Sequence, residues 1–236
     1  MIKQFLSSIF WGSTPNNYTF YQLYSKMRKW GKTEGYPYEY QLPEHISFPS
    51  EFWAQVIKLF KATRSDGYER AISVFWADGE LILSSAIKGT TSSVTPSANI
   101  RVSYVPTKKR EYWSREVHLD GKLYSKKDVY YKKAPKKIEV VYLFNMHTHP
   151  PHKREDGTSY YAFFSVQDLK SLTKSTAAIT GMIGDKLWIL IRTNNTPNHI
   201  SLEQRDVTVE NLSKQLHLGV YSGEWKTKLK RHNSVN

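Results

Sequence analysis

Cysteine is missing from all 236 residues. Its absence excludes a disulfide scaffold, a thiol nucleophile and any zinc site built on thiolates, so a metal here has to sit on imidazoles and carboxylates. It also permits a reducing compartment. Glycine and proline are scarce, at 12 and 10 residues, and with 39% hydrophobic and 14% aromatic residues this excludes collagen-like, linker-like and disordered chains. Acidic residues are few, 21 against 34 Lys and Arg, for a formal charge of +13. No apolar run approaches the ~20 residues of a transmembrane helix. The first eleven residues place Ile2, Phe5, Leu6, Ile9 and Phe10 on one helical face. A secretory signal needs a basic start and small residues at its end. This stretch has only Lys3, and it ends in Phe10 and Trp11. It is expected to dock on its own domain, in a cytoplasmic protein with no membrane span.

What is present suits one medium domain with extensions, or two small ones, and is long enough to bury a core. Residues 1–45 read as an N-terminal extension rich in Tyr and Lys, and packing is the expected role of its rings. A helix is expected from Pro49-Ser50 to Ser65-Asp66-Gly67, with Trp53, Val56, Ile57 and Phe60 on one face. Strand-like runs follow at Glu69–Trp76 and Glu80–Ile87, joined by Asp78-Gly79, then at 99–105 and 111–125, with Asp120-Gly121 marking a second hairpin. Ile138–Phe144 reads as a strand buried on both faces. A polar loop is expected to about Phe164 and a helix from Ser165. A strand pair is expected around Gly184-Asp185, then a helix over Val207–Val220 with Val209, Leu212 and Leu216 inward, and a loose basic tail from Glu224. Helix, mixed strands, helix, strands and helix make an α/β sandwich.

The residues that carry chemistry are His147-Thr148-His149-Pro150 at a strand end and Ser165-Val166-Gln167-Asp168 at a helix start. Residues two apart in a strand share a side, so His147 and His149 can converge on one ion. Pro150 ends the strand and puts the pair at a sheet rim. Ser165 fits a helix N-cap with Asp168 near its third position, where the helix dipole favours a carboxylate. Two imidazoles and one carboxylate suit Zn²⁺ and leave a fourth position for water.

The strand-His-Thr-His-Pro segment followed by Ser-x-x-Asp resembles the JAMM motif of the JAB/MPN metalloprotease family, in a prokaryotic or viral-type member. The resemblance spans about residues 48–195. It implies a JAB/MPN-like mixed sheet flanked by helices, a cytidine-deaminase-like sandwich, over 46–200, with a basic insertion at about 101–137 and a C-terminal helix and tail over 201–236. It implies His147, His149 and Asp168 as Zn²⁺ ligands, and Ser165 as a hydrogen-bond donor to the developing oxyanion. It further implies hydrolysis of a peptide or isopeptide bond, as at the tail of a ubiquitin-like modifier. The family also uses an upstream glutamate to hold the catalytic water and shuttle its proton. Glu69, before the apolar strand, is the favoured residue, and Glu80 at the partner strand is the second. Two features depart from the family pattern. The spacer Pro151–Phe164 is long, and is either a lid or an inert loop. Ile72 stands where a glycine is often found. His152, in the spacer, is not assigned as a ligand.

The charge is uneven. Residues 101–137 carry a net +8 and residues 224–236 a net +3, which leaves the rest of the chain near neutral. An acidic partner at the 101–137 region is the sharper expectation, and a solvated face the plainer one. The alternative function is a nucleic-acid- or acidic-partner-binding protein in which the same fold holds a structural metal.

Overall fold

A computed structural model describes residues 18–33, 35–77, 80–95, 99–133, 135, 140–174 and 178–232. The expected amphipathic face at 1–11 and part of the strand expected from Ile138 lie outside them. The chain divides into two compact units, residues 1–54 with 163–236, and residues 55–162. Both combine helices and strands, so the fold is mixed α/β. Among the described residues, no helix is long and apolar enough to cross a membrane.

The first unit opens with strand β1 (Tyr18–Thr19), parallel to β2 (His45–Ser47). Between them lies helix α1 (Phe20–Thr33). Its start is capped by Thr19 and Gln22, each side chain taking a backbone N–H of the other (3.3 and 3.0 Å). Phe20, Leu23, Tyr24 and Met27 are buried at helical spacing, so these rings of the Tyr-rich extension pack, as expected.

Helix α2 (Ser50–Asp66) spans the residues expected of it. Its buried side chains include Phe52, Trp53, Val56, Leu59 and Thr63, whereas Ile57 and Phe60 are half-buried. Gly67 closes it at φ +74°, donating its N–H to the Thr63 carbonyl at 2.8 Å. Only glycine holds this left-handed cap without a Cβ penalty.

The second unit continues with β3 (Arg70–Ala77), β4 (Glu80–Leu83) and β5 (Ile87–Lys88), so the expected strand Glu80–Ile87 is interrupted after Leu83. The break has a cause: Ser84 turns its hydroxyl to the Ser73 N–H (2.9 Å). Strands β3 and β4 form the expected hairpin, with Ala77 opposite Glu80. Strands β6 (Ile100–Pro106), β7 (Tyr112–Leu119) and β8 (Lys122–Tyr130) make a three-stranded antiparallel sheet. Asp120 and Gly121, at φ +50° and +79°, turn β7 into β8, as the Asp-Gly signal predicts. One face of this sheet joins a core with β3 and β4, through Val117 and Leu119 against Phe75, Ala77 and Ile82.

Strand β9 (Val141–Thr148) lies antiparallel to β3, with Ala71 opposite His147 and Trp76 opposite Val141. It runs later than the expected apolar segment and includes His147. The expected loop after it is instead a hairpin, β10 (Pro151–Lys153) and β11 (Ser159–Tyr161). Its polar turn hid it in the sequence. Asp156 accepts both the N–H and the hydroxyl of Thr158, and Gly157 sits at φ +80°.

The first unit resumes with helix α3 (Val166–Lys174), strands β12 (Ile179–Ile183) and β13 (Leu187–Ile191), helix α4 (Val209–Lys214), and strands β14 (Gly219–Gly223) and β15 (Leu229–His232). Strands β12 and β13 form the expected pair. Two expectations fail here. The last helix covers six residues, not fourteen, and the basic tail is strand β15, paired with β14 and β2. Leu216, Leu218 and Val220 are all buried, an alternation that suits an extended chain better than a helix. Gly219 admits the strand because a Cβ there would lie 2.5 Å from Leu42 Cδ1. Leu229 anchors the tail with no exposed surface. Within this unit the strand order is β1-β2-β15-β14-β13-β12. Its core includes Phe164, Leu169, Leu172, Leu190, Leu212 and Val220.

Candidate metal centre

His147 is the seventh residue of β9, and His149 follows the strand end. Their shared side is set by the residue between them. Thr148 is fully buried, and its hydroxyl lies 2.6 Å from that of Thr63 on α2 and accepts the Arg70 N–H at 2.8 Å. That anchor turns Thr148 to one side of the strand and both imidazoles to the other. Arg70 is itself tied down. Its guanidinium grips the Asp66 carboxylate at 2.5 and 2.8 Å and donates to the Tyr68 carbonyl and the Thr63 hydroxyl.

The His149 ring is oriented as well as aligned. His149 Nδ1 lies 2.8 Å from the Ala162 carbonyl oxygen, at the foot of the β10–β11 hairpin. A carbonyl only accepts, so Nδ1 carries the proton and Nε2 keeps its lone pair. That arrangement typifies a metal-binding histidine held by an outer hydrogen bond. His147 Nε2 lies 2.8 Å from His149 Nε2. Two nitrogens on one tetrahedral zinc stand about 3.3 Å apart, so the rings need to part by only about 0.5 Å.

Asp168 sits in the first turn of α3. Its Oδ2 accepts the Ser165 N–H and hydroxyl at 2.7 and 2.8 Å, while its own N–H donates to Ser165 Oγ at 3.1 Å. This is the reciprocal cap the Ser-x-x-Asp spacing predicts. The helix is held at both ends. Gln204 takes the Val166 N–H at 2.9 Å and gives its amide to the Phe164 carbonyl at 3.2 Å, so it brackets Ser165. Arg192, buried and stacked on Tyr36, donates to the Thr173 carbonyl at 3.1 Å. A cation at a helix C-terminus is favourable.

The ligand atoms of His147, His149 and Asp168 all lie within 4.8 Å of one another. Two imidazoles and a carboxylate, with the His149 ring oriented by its own hydrogen bond, could hold a metal ion. Glu69 is not in that group. It is 8% exposed and directly precedes β3. Its backbone is held by Thr90 and Gly89 at 2.8 and 2.9 Å. Ala71 faces His147, so Glu69, two residues before Ala71, lies at the histidine end of the β3–β9 pair. Glu80 opens β4 opposite Ala77, at the far end of β3 and about 20 Å along the strand. The register therefore separates two glutamates that the sequence left as alternatives. His152 lies outside the group and stacks on Tyr160 (5.4 Å).

Several supporting residues were missed by sequence reasoning. The Ala162 carbonyl has no side-chain signature. Thr148 was legible only as the spacer of His-x-His, and Gln204 and Arg192 lie far along the chain. Comparisons with models of known protein families, with curated proteins and with solved structures find no match.

Proposed function

We propose that this chain is a zinc-dependent peptidase or isopeptidase of the JAB/MPN type, acting on a peptide or isopeptide bond such as one at the tail of a ubiquitin-like modifier. Its fold on this reading is a cytidine-deaminase-like sandwich. The observation that carries the proposal is the convergence of His147, His149 and Asp168 within 4.8 Å, with His149 oriented by the Ala162 carbonyl and Asp168 by its cap with Ser165.

On this reading the three side chains hold the ion. Zinc supplies Lewis acidity toward the scissile carbonyl and lowers the pKa of a water. The Glu69 carboxylate takes a proton from the attacking water, whose oxygen bonds to the carbonyl carbon. As the C–N bond breaks, Glu69 passes that proton to the leaving nitrogen. Glu69 is only 8% exposed, so its carboxylate is largely shielded from bulk water. Ser165 donates its hydroxyl to Asp168 Oδ2 in the resting state. To serve the oxyanion it rotates that proton away from Asp168, at the expense of one hydrogen bond of the cap.

The test is metal content of the purified full chain together with cleavage of a modifier fused to a reporter, with and without chelator. Stoichiometric zinc, chelator-sensitive cleavage, and loss of cleavage with zinc retained in Glu69→Gln are the expected results. A chain that binds zinc but cleaves no peptide or modifier in a broad panel overturns the enzymatic reading and leaves a structural metal.

A further inference from the structure

We propose that the end of the β6–β7–β8 sheet carrying the 107–111 turn binds single-stranded nucleic acid. This surface is independent of the metal centre and of its chemistry.

The +8 of residues 101–137 is not spread evenly along the segment. Strand β6 enters the turn at Pro106, β7 leaves it at Tyr112, and Tyr112 lies opposite Tyr130, the last residue of β8. The Tyr131 N–H then donates to the Glu111 carbonyl at 2.8 Å. Residues 107–111 and 131–133 therefore meet at one end of the sheet. Lys108, Lys109, Arg110, Lys132 and Lys133 are all exposed there. The only acid in these two segments is Glu111, and its carboxylate accepts the Tyr130 hydroxyl at 2.9 Å.

The turn fixes the backbone that carries its cations. Thr107 gives its hydroxyl to the Lys109 and Tyr112 carbonyls (3.1 and 3.0 Å) and takes the Lys109 N–H (3.2 Å). Glu111 closes the turn at φ +67°. A polyanion meeting such a turn finds cations carried on a backbone that the fold has already ordered.

Rings accompany the charges. Tyr112 and Tyr130 sit edge to face at 5.4 Å and are 39% and 51% exposed. Tyr104 and Tyr131 form a second such pair at 5.8 Å. Cations alone would serve an acidic peptide or duplex DNA equally well. Exposed rings among them favour unpaired bases, whose π-faces stack on aromatic side chains whatever the sequence.

The experiment measures binding of the full chain to fluorescent 20-mers of dT and rU by anisotropy, from 50 to 300 mM salt. Each neutralised phosphate contributes a slope of about −0.7 to log affinity against log salt, so five contacts give about −3.5. The quintuple variant K108Q/K109Q/R110Q/K132Q/K133Q should bind at least tenfold more weakly at 50 mM, with most of the slope gone. A control with five other exposed cations neutralised (K58Q/K61Q/R64Q/K226Q/K228Q) should keep the slope. Y112A/Y130A should weaken binding about ten- to a hundredfold at unchanged slope. Y112F/Y130F, which keeps the rings, should bind as the parent does and guards against a folding artefact. The proposal is overturned if the parent does not bind at 50 mM, if the control variant loses as much as the tip variant, or if ring removal has no effect. It is overturned equally if duplex DNA or polyglutamate competes as well as the single strands, and the last result would assign the surface to an acidic peptide.

Discussion

Thr148 offers no metal ligand, yet both histidines depend on it. Its buried hydroxyl is shared with Thr63 and takes the Arg70 N–H, so Thr148→Val keeps the shape and removes a partner from the buried Thr63 hydroxyl and the part-buried Arg70 N–H. Stability should fall by about 1–3 kcal/mol, read from the denaturant midpoint. Zinc affinity should fall about ten- to a hundredfold by competition with a chromophoric chelator, as expected when an outer partner of a ligand is lost. Unchanged zinc affinity would show that the hydroxyl supports the fold but not the ligands. The same network has a pH signature. The hydrogen bond from Arg70 is the main cause holding the Asp66 carboxyl well below the usual carboxylate range; desolvation opposes it, and Lys88 and the Tyr68 N–H assist. A depressed pKa adds stability that is full above the unfolded value of about 3.9 and is lost as pH falls below it. The stability gap between the parent and Asp66→Asn should therefore be constant from pH 5 to 7 and should shrink below about pH 4. A gap that persists unchanged at pH 2.5 contradicts this account.

Strand β15 is the element whose role changes most between sequence and structure. Lys228, Lys230 and Arg231 make the segment look like a solvated tail. Yet the strand inserts between β14 and β2, Leu229 is fully buried, and Arg231 donates to the Glu39 carbonyl at 2.8 Å. Truncation after Gly223 would uncover both neighbouring edges, and the protein should then melt well below the parent or accumulate insoluble. Leu229→Ala should cost about 2–5 kcal/mol, as for other buried Leu truncations. A truncated chain with the parental melting curve would restore the loose-tail description. The β10–β11 hairpin also carries weight, because its foot supplies the Ala162 carbonyl that sets the His149 tautomer. The long spacer is thus coupled to His149 of the candidate metal centre through its backbone.

For the whole molecule, a ligand that binds the native chain and not the unfolded one raises apparent stability. Zinc at a hundred times its Kd should contribute about 2.7 kcal/mol. In a chain of this length that corresponds to about 5–11 °C in Tm. The shift should vanish with chelator and should be absent in a His147→Ala/His149→Ala double variant. A zinc-dependent shift of equal size in that variant would move the metal elsewhere. The net charge of +13 also resolves into parts. Residues 101–137 hold most of it, in a three-stranded sheet and the segment that follows it in sequence, and the rest of the excess lies largely in β15 and its flanks.

Local chemistry explains what the sequence determined by itself. The Ser165–Asp168 cap, the turn at Asp120-Gly121, the stop at Gly67 and the shared side of His147 and His149 each depend on residues a few positions apart. Short-range sterics and hydrogen bonding set such features before the chain folds. The tertiary structure alone decided the rest. It set which glutamate lies at the histidine end of the strand pair, because strand register is a long-range pairing between residues 70–77 and 141–148. It decided that the basic tail is a strand, because burial of Leu229 against distant residues outweighs the polarity of its neighbours. It also recruited Ala162, Gln204 and Arg192 as supports, through carbonyls and side chains that become partners only once segments far apart in sequence are packed together.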